Sequence, residues 1–293
     1  MPPRRDRDEP SLRSWWLGAR LRERREERGM TLKYVAAYLG VGFTELAAVE
    51  RGQRVFRFAE VATLLDLYGV VDQVERDYVL GLAASVFRLP RWQDDFGGPE
   101  LDVSMLDYLW LESAAERIRC YSPVLVPELL RTAEYVEAVV RHDVQGVSDT
   151  GLDWWLRTYQ DRWQALDRDP GPAVWAVVAE SVLRRPVGGS ANVLAGQLQH
   201  LAEATNDDRV QMRVVRPESG YVPGMDGWFT VFDLPDPYPR HVACTGLGDT
   251  VAIHEGRPAD RFAGVFGRLW DAGLTRSGWM PLVDPALAGD SIR

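Results

Sequence analysis

Residues 31–52 read T-L-K-Y-V-A-A-Y-L-G-V-G-F-T-E-L-A-A-V-E-R-G, and their spacing decides the fold of the N-terminal part. Thr31 follows Gly29 and Met30 and is placed to cap a helix. Val35, Ala36 and Leu39 recur at helical spacing, and Gly40 breaks the run. A second short helix is expected from about residue 42 to 51, with Leu46 and Val49 on its buried side and Gly52 as its stop. Small Ala36 lets the two helices cross closely. Together they spell a helix-turn-helix.

Outward from that core, a charged helix over 15–28 carries Leu17 and Leu21 inward. Apolar residues at 58, 61, 64, 65 and 68 predict an amphipathic helix that Gly69 ends. Asp72 caps a fifth helix whose inner face is Val74, Tyr78, Leu82 and Val86. Residues 1–14 read as a disordered arm, 15–88 as the helical head and 89–104, with Pro90, Gly97, Gly98 and Pro99, as a linker.

On these residues the head resembles the Cro/C1-type (Xre) repressor module, which ends in Glu-Arg-Gly as Glu50-Arg51-Gly52 does here. Actinobacterial members commonly read Ser-x-Ser-Lys-Val-Ser-Arg-Leu-Glu-Arg-Gly in the recognition helix. Leu46, Val49 and Glu50 keep the structural positions. Gly42 and Thr44 replace the two leading serines, Glu45 falls where Lys is usual, and Ala47 and Ala48 stand where Ser and Arg are usual. The resemblance implies an operator bound by a homodimer. Affinity for a duplex rests on Lys and Arg at phosphates, and sequence is read by side chains that hydrogen-bond base edges. By that rule the readers are Thr44 and Glu45, and the anchors are Arg51, Arg54 and Arg57, with Arg4, Arg5 and Arg7 in the arm. Two readings stay open: a diverged repressor with an unusual site, and a module that has lost direct DNA contact.

The remainder, 105–293, predicts a mixed domain. Residues 115–123 alternate as a strand, Pro127 opens a helix through residue 140, and 152–166 is a Trp-rich amphipathic helix. The apolar run 173–179 is a buried strand. A helix over 191–204 precedes strand-like runs at 210–215, 228–234, 241–246 and 250–254, and a helix over 258–272 follows. The fold class is α+β: an all-α five-helix head, then an α+β domain with a mostly antiparallel sheet. The stretches at 121–135, 175–189, 197–201 and 226–233 resemble a domain of unknown function that follows Xre heads in many actinobacterial regulators, the WhiJ-like ones included. Those proteins are often antitoxin-like and encoded beside a small partner. The usual Pro-Gly-Leu-Leu-Gln-Thr is here Pro127-Glu128-Leu129-Leu130-Arg131-Thr132, and a usual Arg-Gln pair appears as Arg162-Trp163-Gln164.

The formal charge of −9 over 293 residues is unlike that of most nucleic-acid binders. It is uneven, since residues 1–90 hold 15 Arg and Lys against 13 Asp and Glu. Cys120 and Cys244 lack a CxxC partner and read as buried small apolar residues. The charged N-terminus leads into no signal-type core and no run of 18 apolar residues exists, so a cytoplasmic chain without a membrane span is expected. His142, His200, His241 and His254 have no ligand spacing, and no Walker, Rossmann or G-x-S-x-G motif occurs. No metal, cofactor or catalytic set is expected. His241 and His254 lie on neighbouring runs, close enough in order to approach one another. Gly188-Gly189-Ser190 opens a helix, either as a plain start or as an anion cradle. Glu180 and Asp226 are acids without a pairing spacing.

Eleven tryptophans are many for this length, and eight lie beyond residue 109. They either fill a core or line a cavity for a hydrophobic small molecule. The cavity reading takes Trp154, Tyr221, Met225 and Trp228 as ligand-binding, with the Gly- and Pro-rich loop 219–228 as a lid. Three functions follow: an operator-binding regulator whose C-terminal domain senses a ligand or small partner protein; an antitoxin-like partner binder; and a repurposed homologue whose cavity binds or transforms a metabolite, as a cyclase would.

Overall fold

Gly40 and Ser11 show how the head follows from local chemistry. The computed structural model describes residues 10–86, 103–143, 147–166, 169, 171–247 and 250–287. These form two compact units divided at Asp107–Tyr108. The head holds α1 (Leu12–Glu27), α2 (Leu32–Leu39), α3 (Phe43–Glu50), α4 (Phe58–Leu67) and α5 (Gln73–Val86). Helix α1 starts earlier than the spacing predicts, because Ser11 caps it: the Ser11 hydroxyl accepts the Ser14 N–H at 3.2 Å. Residues 12–14 are therefore helix rather than arm. Residues 1–9 and the expected linker over 89–102 lie outside the described residues.

Thr31 caps α2 by accepting the Tyr34 N–H at 3.2 Å. Gly40 ends α2 in the left-handed region (φ 70°), the conformation that lets the chain turn sharply without a Cβ clash. Helices α2 and α3 then meet at 109°. Leu17, Leu21, Val35, Leu46, Val49, Val61, Leu64, Leu65, Val79 and Leu82 are fully buried between the five helices. Helix α1 lies so close to α3 that a Cβ on Gly18 would stand 2.4 Å from the Val49 carbonyl oxygen. The same pair of helices is pinned by a buried, bidentate ion pair: Arg25 Nε to Glu50 Oε1 at 2.6 Å and Nη2 to Oε2 at 2.9 Å.

The second unit contains, from Tyr108 of α6 (Val103–Ala114) onward, β1 (Arg117–Ser122), α7 (Ala133–Asp143), α8 (Asp149–Leu166), β2 (Ala173–Ala179), α9 (Ala191–Ala204) and β3 (Val210–Val215). There follow β4 (Phe229–Asp233), β5 (His241–Leu247), β6 (Thr250–Glu255), α10 (Arg257–Ala272) and α11 (Arg276–Leu287). One sheet has the order β3-β2-β1-β4-β5-β6. The pairs β1/β4, β4/β5 and β5/β6 are antiparallel, while β1/β2 and β2/β3 are parallel. Parallel neighbours need crossovers, which the α7–α8 and α9 segments supply. Strand β2 lies between two parallel partners, which explains its unbroken apolar run. Val174, Ala176, Val178, Met212 and Val214 face α7, α9 and α11. Trp175, Val177, Val215, Phe229 and Val231 face α10. Helix α8 lies outside α7, packed on Val136 and Val140.

Two expectations are corrected. The helix predicted from Pro127 to residue 140 is broken: Glu128–Leu130 is a single 3-10 turn, Arg131 is extended (ψ 146°), and α7 begins at Ala133. The break is stabilised by fully buried Gln197, whose amide donates to the Leu130 carbonyl at 2.6 Å and accepts the Thr132 N–H at 2.8 Å. The chain also does not end its regular structure at residue 272. Helix α11 follows despite Pro281 and Pro285, held by Trp279, which is fully buried and donates its indole N–H to the Met212 carbonyl at 3.1 Å. Helix α6, spanning residues read as the end of the linker, is a further addition.

Candidate nucleic-acid interface

Helix α3 keeps Leu46, Val49 and Glu50 inward, so the helical period turns residues 44, 47 and 48 outward. Phe43, the first helical residue, is 52% exposed; Thr44 is exposed, and Ala47 and Ala48 are half-buried. Gly42 precedes the helix and supplies no side-chain cap. Helix α2 exposes Tyr34 and Tyr38, one turn apart.

The predicted DNA-facing residues fall out unequally. Glu45, read as a base reader, lies 3.1 Å from Arg54, read as a phosphate anchor. The two therefore offset each other's charge on the surface. Arg51 is exposed and donates to the Gln53 side-chain carbonyl at 2.9 Å. Arg57 is exposed at the start of α4, where its backbone N–H donates to Glu60 at 2.7 Å. Arg51 and Arg57 remain the cations beside α3 that Glu45 does not engage. Arg4, Arg5 and Arg7 lie outside the described residues.

The residues expected to bind a ligand are not brought together. Trp154 is buried on α8, edge-on to Trp155 at 5.0 Å, on the α7 side of the sheet. Met225 packs on the opposite face with α10, its sulfur accepting the Val222 N–H at 3.2 Å and its carbonyl the Tyr121 hydroxyl at 3.4 Å. Loop 219–228 is thus tied to α10 through Val222 and Met225, leaving Tyr221 exposed and Trp228 half-buried. Four further indoles of the C-terminal domain pack on protein. Trp175 stacks on Trp270 at 5.0 Å, flanked by Arg117 and Arg213 at 4.4 and 4.5 Å from the two rings. Trp163 meets His200 at 5.8 Å, and Trp110 meets Tyr238 at 5.5 Å.

The titratable groups follow the same pattern. His241 and His254 share a sheet face, yet take separate partners: Asp233 at 2.9 Å and Thr245 at 2.9 Å. Burial tends to raise the Glu180 carboxyl, but Arg216 at 3.0 Å and Arg184 at 2.8 Å hold it low; Asp226 is exposed. Gly188-Gly189-Ser190 leads into α9, with Ser190 as its N-cap residue. Cys120 and Cys244 are free and buried, and burial pushes the Cys120 thiol up to about 12, which leaves it without nucleophilic character at neutral pH. Among the described residues, no group of three His, Cys, Asp or Glu side chains is placed to hold a metal ion.

One cluster has no counterpart in the sequence reading. Buried Arg162 of α8 donates to both oxygens of Glu112 on α6, at 2.6 and 2.9 Å, and to Glu128 at 2.9 Å. Arg131 donates to the Tyr159 hydroxyl at 3.2 Å beside it. Burial pushes the Glu112 carboxyl above the ordinary range, Arg162 works against this, and the neighbouring Glu128 adds to the rise. Glu128 and Arg131 are the two charges that depart from the resembled pattern, and that departure was the available signal.

Residues 105–278 match the domain of unknown function DUF5753, which is more than half of the chain. The chain belongs to the DUF5753 family. In this DUF5753 protein, residues 16–79 match a helix-turn-helix domain, a DNA-binding module, and span α1 to α5 as far as Val79. No curated protein and no solved structure matches the chain. Among the described residues, no single helix is long and apolar enough to cross a membrane.

Proposed function

We propose that this DUF5753 protein is a transcriptional regulator. Its head docks α3 in the major groove of an operator as a homodimer, on half-sites about 34 Å apart. Its C-terminal domain binds an effector, either a hydrophobic small molecule or a small partner protein, and so shifts the head's affinity. The observation that carries the reading is the 109° crossing of α2 and α3, with Phe43 and Thr44 exposed at the N-terminus of α3. In helix-turn-helix proteins that end of the second helix meets the base edges.

One observation favours a second reading. Helix α3 carries no Lys or Arg, and the Glu45 carboxylate already engages Arg54. A recognition helix so poor in cations suits a repurposed homologue, in which the C-terminal domain binds or transforms a metabolite. Fluorescence anisotropy separates the two. Labelled duplexes from the gene's own neighbourhood are titrated at two salt concentrations. The regulator binds one duplex selectively at physiological salt. A weak background that salt erases, with folded protein, leaves the second reading.

A further inference from the structure

The outward stripe of α3 is chemically unusual for a reader of bases. Phe43 and Ala47 are one turn apart, as are Thr44 and Ala48, so the four side chains form one contiguous surface. Residues 43–50 contain no Arg, Lys, Asn or Gln, the side chains that make paired hydrogen bonds to guanine or adenine. Glu45, the acceptor suited to a cytosine amine, is engaged by Arg54 at 3.1 Å. What remains is a phenyl ring, two methyls and a threonine that brings a third methyl with one hydroxyl.

The major groove offers one apolar feature to such a surface, the C5-methyl group of thymine. We propose that the head selects its site chiefly by thymine methyl groups, with Phe43 as the main reader, Ala47 and Ala48 lining the contact, and the Thr44 hydroxyl giving the single polar contact. This rests on the DNA-binding reading above and names what that interface recognises. Exposed Arg51, directly after α3, and exposed Arg57, at the start of the next helix, supply cations for phosphates and favour a duplex over an apolar protein partner. Specificity of this kind discriminates thymine from uracil, two bases with the same hydrogen-bonding groups. A site read through amides or guanidinium groups does not discriminate them.

The test starts with selection of a preferred duplex from a random pool by the full chain. Each thymine is then replaced by uracil, one at a time, and the affinity is measured. At critical positions the affinity falls about fourfold per lost methyl. Phe43→Ala, an exposed substitution whose folding is checked by thermal unfolding, abolishes the thymine–uracil difference and keeps the salt dependence that the phosphate contacts set. A selected duplex bound equally well with uracil throughout overturns the proposal while the regulator stands. Failure to select any duplex defeats the DNA-binding reading too, and assigns the apolar surface to a protein partner instead.

Discussion

Arg25 of the head and Arg162 of the C-terminal domain are both buried guanidinium groups, yet they hold different kinds of charge cluster. Arg25 meets Glu50 edge to edge in the interior of the head, and its second carboxylate, Glu26 at 3.3 Å, lies on the surface with half of its side chain exposed. Arg162 is divided between Glu112 and Glu128, so two acids converge on one base in the interior of the domain. The first arrangement pins α1 to α3 through a single buried carboxylate. The second spreads one guanidinium over two acids, with Arg131 also holding the Glu128 carboxyl down, and Glu128, 40% exposed at its side chain, connects the cluster to solvent. A proton on Glu112 changes how Arg162 is shared between two acids, whereas Glu26 lies on the surface, where solvent screens its charge from the Arg25 pair.

The largest effect that breaks the comparison comes from the two arginines themselves. Arg162→Met leaves both carboxylates without their cation and destabilises the C-terminal domain by about 3–5 kcal/mol. Arg25→Met alone costs the head a similar amount, because Glu50 is left buried and unpaired. Combining Arg25→Met with Glu50→Leu returns most of the loss, as a buried pair replaced by apolar side chains is close to neutral and Glu26 is left in solvent. Pairing Arg162→Met with Glu112→Leu leaves Glu128 without its guanidinium hydrogen bond, with Arg131 still near it, and recovers less. Urea unfolding of the full chain, followed by tryptophan fluorescence and circular dichroism, measures all four variants.

Gly18→Ala tests the closeness that the Arg25 pair secures. The added methyl must push α1 from the Val49 carbonyl, at a cost of roughly 1–3 kcal/mol, and the loss appears in the head's thermal transition.

A smaller effect sharpens the contrast in pH dependence. With its carboxyl raised by burial and by Glu128, Glu112 contributes stability that is complete below its ordinary unfolded value and is lost as pH rises through the raised folded value. The difference in unfolding free energy between wild type and Glu112→Gln therefore shifts against wild type as pH rises above the usual glutamate range. Glu128→Gln narrows that window by removing the like charge. A flat difference across the range contradicts the shared-cation account.

The head was legible in sequence because its signals are local: Thr31, Gly40 and Gly52 mark helix ends, and Leu46 and Val49 recur at helical spacing. All six strands were visible as alternating or apolar runs, and three of the five strand pairings are antiparallel as expected. The parallel pairings of β2 were not, since neighbour choice depends on chain crossovers rather than on any run of residues. Helix α11 was hidden by Pro281 and Pro285, which usually end a helix, while its anchor is a contact between Trp279 and Met212, 67 residues apart in the chain. The Arg162 cluster unites residues 50 and 34 positions apart, on α6, a 3-10 turn and α8, so no spacing could betray it. The tryptophans left two readings open for a related reason: composition counts rings but does not say which face of the sheet each one packs on.

The central claim is that α3 faces a DNA groove, and the salt dependence of binding by Glu45→Lys/Ala48→Arg tests it most directly. Both substitutions restore cations at the positions where the resembled helix carries them, and Glu45→Lys also frees Arg54. Affinity for a non-specific duplex should rise, and the slope of log K against log salt should steepen by about one for each new phosphate contact. If the variant folds like wild type but changes neither affinity nor slope, α3 does not face DNA.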